Sequence, residues 1–221
     1  MKIPVYFIPG LAASSEIFNN IKLPNESFET YFLEWFLPST NESLQDYAKR
    51  MALQIQHKNP VLIGVSFGGI IAQEIAKHIE TKKVIIISSI KSNSEMPKRM
   101  KIAKLIKLYR LLPTAFLSNI EKFTFLSFSK TIDKRLKLYK KYFKMRDKKY
   151  LDWALKNVIL WQQNAASSSV IHIHGEKDEV FPAKNIKNCI LVKNGTHIMI
   201  INQYKWLNKN LPCIIIENNE N

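Results

Sequence analysis

Residues 60–79, PVLIGVSFGGIIAQEIAKHI, constrain this chain's fold more than any other stretch. PVLIG is a short continuous apolar run, the mark of a strand covered on both faces. A helix is predicted over about 69–79, with Ile71, Ala72, Ile75, Ala76 and Ile79 apolar. Between them the chain must turn sharply at Val65-Ser66-Phe67-Gly68. Gly64 and Gly68 flank Ser66 two residues away on either side and remove Cβ atoms where such a turn crowds. The turn lifts the serine hydroxyl above the sheet edge. The following helix aims its positive end at the same place.

Strand and helix signals alternate through much of the remaining chain. Residues 2–8, KIPVYFI, read as a strand ended by Pro9-Gly10, and residues 30–36 as a second. Residues 43–57 have helical spacing, with Leu44, Tyr47, Ala48, Met51 and Ile55 on one face. Residues 83–88, 170–174 and 189–192 read as further strands, and about 197–207 as a last helix. This alternation predicts an α/β fold, a mostly parallel sheet with helices on both faces. The length of 221 residues fits one domain.

Residues 91–165 differ in kind. They carry no strand signal and read as three or four amphipathic helices inserted between two strands of the sheet. In the first, Ile102, Leu105, Ile106, Tyr109 and Leu112 share a face opposite Arg99, Lys104, Lys107 and Arg110. Ile132, Leu136, Tyr139 and Phe143 mark a second, and Leu151, Ala154, Leu155 and Val158 a third. The organisation expected is a core of residues 1–90 and 166–221 with a helical, basic insertion over 91–165. The net charge is +15. The stretch from Lys91 to Lys156 holds 19 of the 33 basic residues but only 5 of the 18 acidic ones. Cys189 and Cys213 are too few for a disulfide framework and match no metal spacing. The first residues read as a strand and not a signal peptide, and no apolar run approaches a membrane span, so a cytoplasmic protein is expected. No nucleic-acid-binding module is recognisable, so nucleic acid is not an expected partner.

Gly64-Val65-Ser66-Phe67-Gly68 matches G-x-S-x-G, a turn that presents a nucleophilic serine. A serine hydroxyl needs a base. His197, in VKNGTHIMI, lies in a loop after the last predicted strand. The other histidines are placed less favourably. His57 is near a helix end, His78 on a polar helix face, His172 inside a strand and His174 at a strand end. The base in turn needs an acid to hold its tautomer. Asp178, in HGEKDEVFP, follows a strand, with Glu176 and Glu179 as neighbours. The chain order Ser66, Asp178, His197 is that of the strand–turn–helix serine hydrolases.

These stretches resemble the α/β-hydrolase superfamily, and the likeness covers nearly the whole chain. FIPGLAASS resembles the loop after the first central strand, GVSFGG the elbow, HGEKDEVFP the acid loop and NGTHIM the terminal histidine loop. The resemblance implies catalytic Ser66, Asp178 and His197 and an oxyanion hole from the backbone N–H groups of Leu11 and Phe67. No cofactor or metal is expected. It implies that the inserted block is a lid over an acyl pocket. Pro9 stands where many members have His. The strands that usually precede Ile3 are absent, so a sheet of about six strands is expected.

The implied activity is hydrolysis of a carboxylic ester or thioester through an acyl-enzyme, on a small-molecule acyl substrate. The basic lid suits an anionic partner: an acidic acyl carrier protein, a coenzyme A ester or an anionic membrane surface. Esterases of pimeloyl-carrier methyl esters are architecturally similar. A non-hydrolytic protein on the same fold, such as a lyase, a perhydrolase or a binding protein, is the alternative.

Overall fold

The computed structural model describes residues 1–106, 141–164, 167 and 169–217. Six strands, β1 Ile3–Ile8, β2 Phe28–Phe32, β3 Val61–Val65, β4 Lys83–Ile87, β5 Val170–Gly175 and β6 Ile190–Val192, form one sheet in the order β2-β1-β3-β4-β5-β6. Every pairing is parallel. The helices are α1 Leu44–Ala52, α2 Phe67–Ile75, α3 Lys98–Leu105, α4 Lys148–Leu160, α5 Met199–Asn202 and α6 Tyr204–Ile216.

The period of two along each strand builds two cores. Tyr6, Ile8, Leu62, Val84 and Ile86 face one side, against α1, α2 and α4. Val5, Phe7, Ile63, Ile85 and Ile173 face the other, against α6. Every residue of α2 is buried, and burial of Ile70, Ile71 and Ile75 contributes about 2 kcal/mol each. Ser43 caps α1, its hydroxyl accepting from the Asp46 amide at 3.0 Å, worth about 1 kcal/mol.

The order places β2 on one side of β1 and β3 on the other. Chain direction across the sheet therefore reverses between β1 and β3. The loops leaving their carboxyl ends diverge there, and open α/β sheets bind ligands at such a point.

Four expectations need correction. The helix after Ser66 begins at Phe67 and ends at Ile75, and Ile79 packs from the turn beyond it. The second strand ends at Phe32 and not at residue 36, because Trp35 leaves the sheet edge and turns over its end, where it is 8% exposed. The first helix stops at Ala52, and Ile55 packs from the turn beyond it. The last helix was expected to end near residue 207, but it breaks at Gln203 and then runs to Ile216 with Pro212 inside it. Leu207, Leu211 and Ile215 are fully buried at four-residue spacing. Their burial, about 2 kcal/mol each, outweighs the ~3 kcal/mol cost of the proline.

Between β4 and β5 the described residues are helical apart from turns and one bridge. In α4, Leu151, Ala154 and Val158 are buried as their spacing predicts, joined by Tyr150 and Ile159, while Leu155 is only half-buried. In α3 the apolar face is exposed among the described residues, with Ile102, Leu105 and Ile106 at 56, 81 and 59%. Tyr109, Leu112, Ile132, Leu136 and Tyr139 lie outside the described residues. Among the described residues no helix is long and apolar enough to cross a membrane.

Candidate active site

Ser66 stands between β3 and α2 with φ 53° and ψ −118°. That conformation costs a non-glycine residue on the order of 1–3 kcal/mol and persists only where the surroundings hold it. Here they do. The Ser66 amide donates to the Ile87 carbonyl at 2.9 Å. The Ser66 carbonyl accepts from the Gly69 amide at 2.9 Å and the Ser89 hydroxyl at 2.7 Å. A Cβ on Gly64 would lie 2.6 Å from the Gly69 Cα, and a Cβ on Gly68 2.9 Å from the Ile8 carbonyl carbon. Both glycines are therefore required by close backbone approach, although neither has a positive φ.

Ser66 Oγ lies 3.0 Å from His197 Nε2. His197 Nδ1 lies 2.9 and 3.2 Å from the two Asp178 oxygens. A carboxylate only accepts, so Nδ1 carries the imidazole proton and Nε2 is left to accept from the Ser66 hydroxyl. The Asp178 side chain is fully buried and that of His197 is 23% exposed. Asp178 Oδ1 also accepts from the amides of Val180 and Phe181 at 2.8 and 2.9 Å. These bonds fold the acid loop around its own carboxylate. Phe181 meets the His197 ring edge-on, with centroids 5.7 Å apart.

The three residues predicted from sequence thus come together from positions 66, 178 and 197. The two residues expected to supply amides lie beside them. Phe67 is the first residue of α2, so its N–H has no intrahelical acceptor. Leu11 follows Gly10, on which a Cβ would stand 3.6 Å from the Ser66 Cβ. Among the described residues no backbone acceptor pairs with the Leu11 amide. Ala12, next in the chain, has φ 64°, a left-handed conformation costing roughly 1–2 kcal/mol.

Behind Asp178 lie two histidines whose link to the acid loop the sequence reading missed. His174 Nε2 donates to the Phe181 carbonyl at 2.8 Å and stands 3.6 Å from Asp178 Oδ2. Since a carbonyl only accepts, His174 Nδ1 is an acceptor, and the His172 Nε2–H donates to it at 3.0 Å. Burial pushes His172 down to about 2, with the neighbouring His174 and Lys91 adding to it. Burial also lowers His174. Both rings are neutral and act as rigid hydrogen-bonding struts. The alternation His-Ile-His leading into the acid loop was the available signal. Of the remaining histidines, His57 is held between the Tyr6 and Tyr31 hydroxyls at 2.7 and 3.2 Å, and His78 is exposed.

Among the described residues no group of three His, Cys, Asp or Glu side chains is placed to hold a metal. A cavity of about 580 Å³ lined by Asn59 and residues 76–81 lies at the far end of α2 and contains none of the site residues.

Comparison with known proteins fits this architecture. A family described as an uncharacterised protein family, UPF0227, matches residues 28–107, a stretch that includes Ser66 but neither Asp178 nor His197. No curated protein matches the sequence. Among solved structures, an esterase from Exiguobacterium antarcticum is similar at 17% identity and TM-score 0.64, over 97% of this chain and 92% of that one. A thermophilic esterase from Thermogutta terrifontis aligns at 14% identity and TM-score 0.66, over 97% and 90% of the two chains. A bromoperoxidase from Bacillus anthracis aligns at 15% identity and TM-score 0.60, over 99% and 93%. The fold of this chain is therefore that of the α/β-hydrolases.

Proposed function

We propose that this protein is a serine hydrolase that cleaves a carboxylic ester or thioester through an acyl-enzyme on Ser66. The observation that carries the reading is the continuous hydrogen-bonded line from Ser66 Oγ through His197 to the buried Asp178. Similarity of fold to esterases is consistent with it. At these identities the fold alone does not specify the reaction.

In this reading His197 Nε2 takes the Ser66 proton as Oγ attacks the substrate carbonyl. Asp178 stabilises the imidazolium that results. The amides of Leu11 and Phe67 receive the oxyanion, each contributing about 3 kcal/mol to the transition state. His197 then protonates the leaving oxygen or sulfur. Water, deprotonated by the same imidazole, releases the acid and restores Ser66.

The protein is expected to hydrolyse p-nitrophenyl esters, and Ser66→Ala to lower kcat by roughly 10⁴-fold or more. Absence of hydrolysis by the wild-type protein across ester and thioester panels, or an unchanged rate in the variant, contradicts the reading.

A finer reading concerns how the acyl group arrives. α3 leaves Ile102 and Leu105 exposed, with Lys98 one turn before Ile102 and Lys101 one turn before Leu105. Such a surface suits an acyl group delivered on an anionic carrier, whether an acidic carrier protein or coenzyme A. Carrier-linked substrates are then preferred over neutral esters, with a rate that falls as salt rises from low to high ionic strength. Salt-insensitive preference for short neutral esters counts against carrier delivery and leaves the serine mechanism intact.

A further inference from the structure

Trp35 is read from the sequence as part of a strand, yet it stands at the active-site end of the sheet. Its indole Nε1 donates to the Gly10 carbonyl at 3.0 Å. That carbonyl belongs to the same peptide unit as the Leu11 N–H. A trans peptide is planar, so its C=O and N–H point in opposite directions. Fixing the Gly10 oxygen therefore fixes the direction of the Leu11 N–H. The Ala13 amide takes the same oxygen at 3.0 Å, closing the turn from within.

The same indole lies on the other amide-bearing residue. Trp35 and Phe67 stack with centroids 5.3 Å apart and planes 20° from parallel. Tyr47 of α1 and Tyr150 of α4 close in on the indole at 6.4 and 5.6 Å. The ring is thus wedged by three elements while its one polar atom is spent on the loop after β1.

Building on the assignment of Ser66 as nucleophile, we propose that Trp35 is the positioning residue of the oxyanion hole. It orients the Leu11 amide through the Gly10 carbonyl and backs Phe67 through ring stacking. It touches neither substrate nor the reacting atoms. Oxyanion donors act on the tetrahedral intermediate more than on bound substrate. Loss of the indole N–H therefore lowers kcat and leaves KM in place.

The test compares wild type with Trp35→Phe, which keeps an aromatic ring on Phe67 and removes the N–H. A second protein carries β-(3-benzothienyl)alanine at position 35, matching the indole in shape without the donor. Each is assayed for hydrolysis of a p-nitrophenyl ester and for inhibition by an alkyl trifluoromethyl ketone, whose hemiketal oxyanion occupies the same hole. In both variants kcat is expected to fall about ten- to a hundred-fold with KM within about two-fold, and the inhibition constant to rise by the same factor as kcat falls. A change confined to KM or to thermal stability is what a merely structural tryptophan gives, and it overturns the proposal. So does wild-type kcat and ketone affinity in the benzothienyl protein, which decides the matter if Trp35→Phe does not fold. Either result leaves Ser66 reactive, whereas failure of the serine mechanism itself is seen in the wild-type protein as absence of turnover.

Discussion

Gly175 and Gly195 touch backbone to backbone: a Cβ built on Gly175 would lie 2.5 Å from the Gly195 carbonyl oxygen and 2.6 Å from its carbonyl carbon. Gly175 ends β5 three residues before Asp178, and Gly195 lies two residues before His197. The Lys177 amide donates to the Gly195 carbonyl at 2.7 Å and the Glu176 amide to the Val192 carbonyl at 3.1 Å. This contact sets the separation of Asp178 from His197. Gly175→Ala is expected to push the two loops apart, destabilising the protein by about 2 kcal/mol and lowering kcat by about a hundred-fold. Denaturant unfolding and ester kinetics on the same preparation check both figures.

The loop that carries Leu11 is also held from its outer side. Met145 donates its amide to the Ala12 carbonyl at 3.2 Å, and Ser14 donates to the Tyr142 carbonyl at 2.9 Å, around an antiparallel bridge between Ala13 and Phe143. These bonds help keep Ala12 in its left-handed conformation. Met145→Pro removes one of them, and a fall in kcat of about ten-fold is expected. Met145→Ala keeps the amide and is expected to retain most of the activity. Equal rates in the two variants exclude this support.

Two buried neutral histidines make stability depend on pH. His172 is depressed from its ordinary 6.5 to about 2, and His174 is also depressed, in both cases chiefly by burial. The unfolded chain binds their protons more readily than the folded one. Their contribution is therefore fully present above pH 6.5 and is lost as pH falls below it. His172 alone costs about 2 kcal/mol of stability on going from pH 7.5 to pH 5. Unfolding at the two values checks the slope, and His172→Gln is expected to flatten it.

Lys83 opens β4, and its ammonium donates to the Ile214 carbonyl at 2.7 Å and to the Glu217 carbonyl, at the carboxyl end of α6. Burial lowers its pKa. The charge satisfies carbonyls that the helix end leaves open and complements its dipole. Lys83→Met is expected to destabilise by about 1–2 kcal/mol and to leave ester hydrolysis unchanged, since β4 carries Lys83 at the end opposite the site. Thermal unfolding with a parallel ester assay checks it.

Much of this was legible in the chain itself because the information was local. A buried strand, a glycine-flanked serine and an apolar helix specify the turn at Ser66 from neighbouring residues. Asp178 and His197 were legible because each directly follows a strand in a glycine-marked loop. Trp35 was not, since YFLEWF reads as one apolar run and the partners that hold the indole, the Gly10 carbonyl and the rings of Phe67, Tyr47 and Tyr150, are distant in sequence. The length of α6 was hidden for a similar reason. Pro212 argues against a helix locally, and burial of Leu211 and Ile215 against the sheet overrides it. The struts behind Asp178 depend on which carbonyl meets His174, a relation between residues 174 and 181 that no spacing rule encodes.

The most direct test of the central claim is covalent labelling followed by mass spectrometry. The wild-type protein treated with an alkyl fluorophosphonate is expected to gain one phosphonyl group, located on Ser66. Ser66→Ala is expected to gain none, and His197→Ala to react orders of magnitude more slowly. Labelling at another residue, or full labelling of Ser66→Ala, contradicts the assignment of Ser66 as the nucleophile.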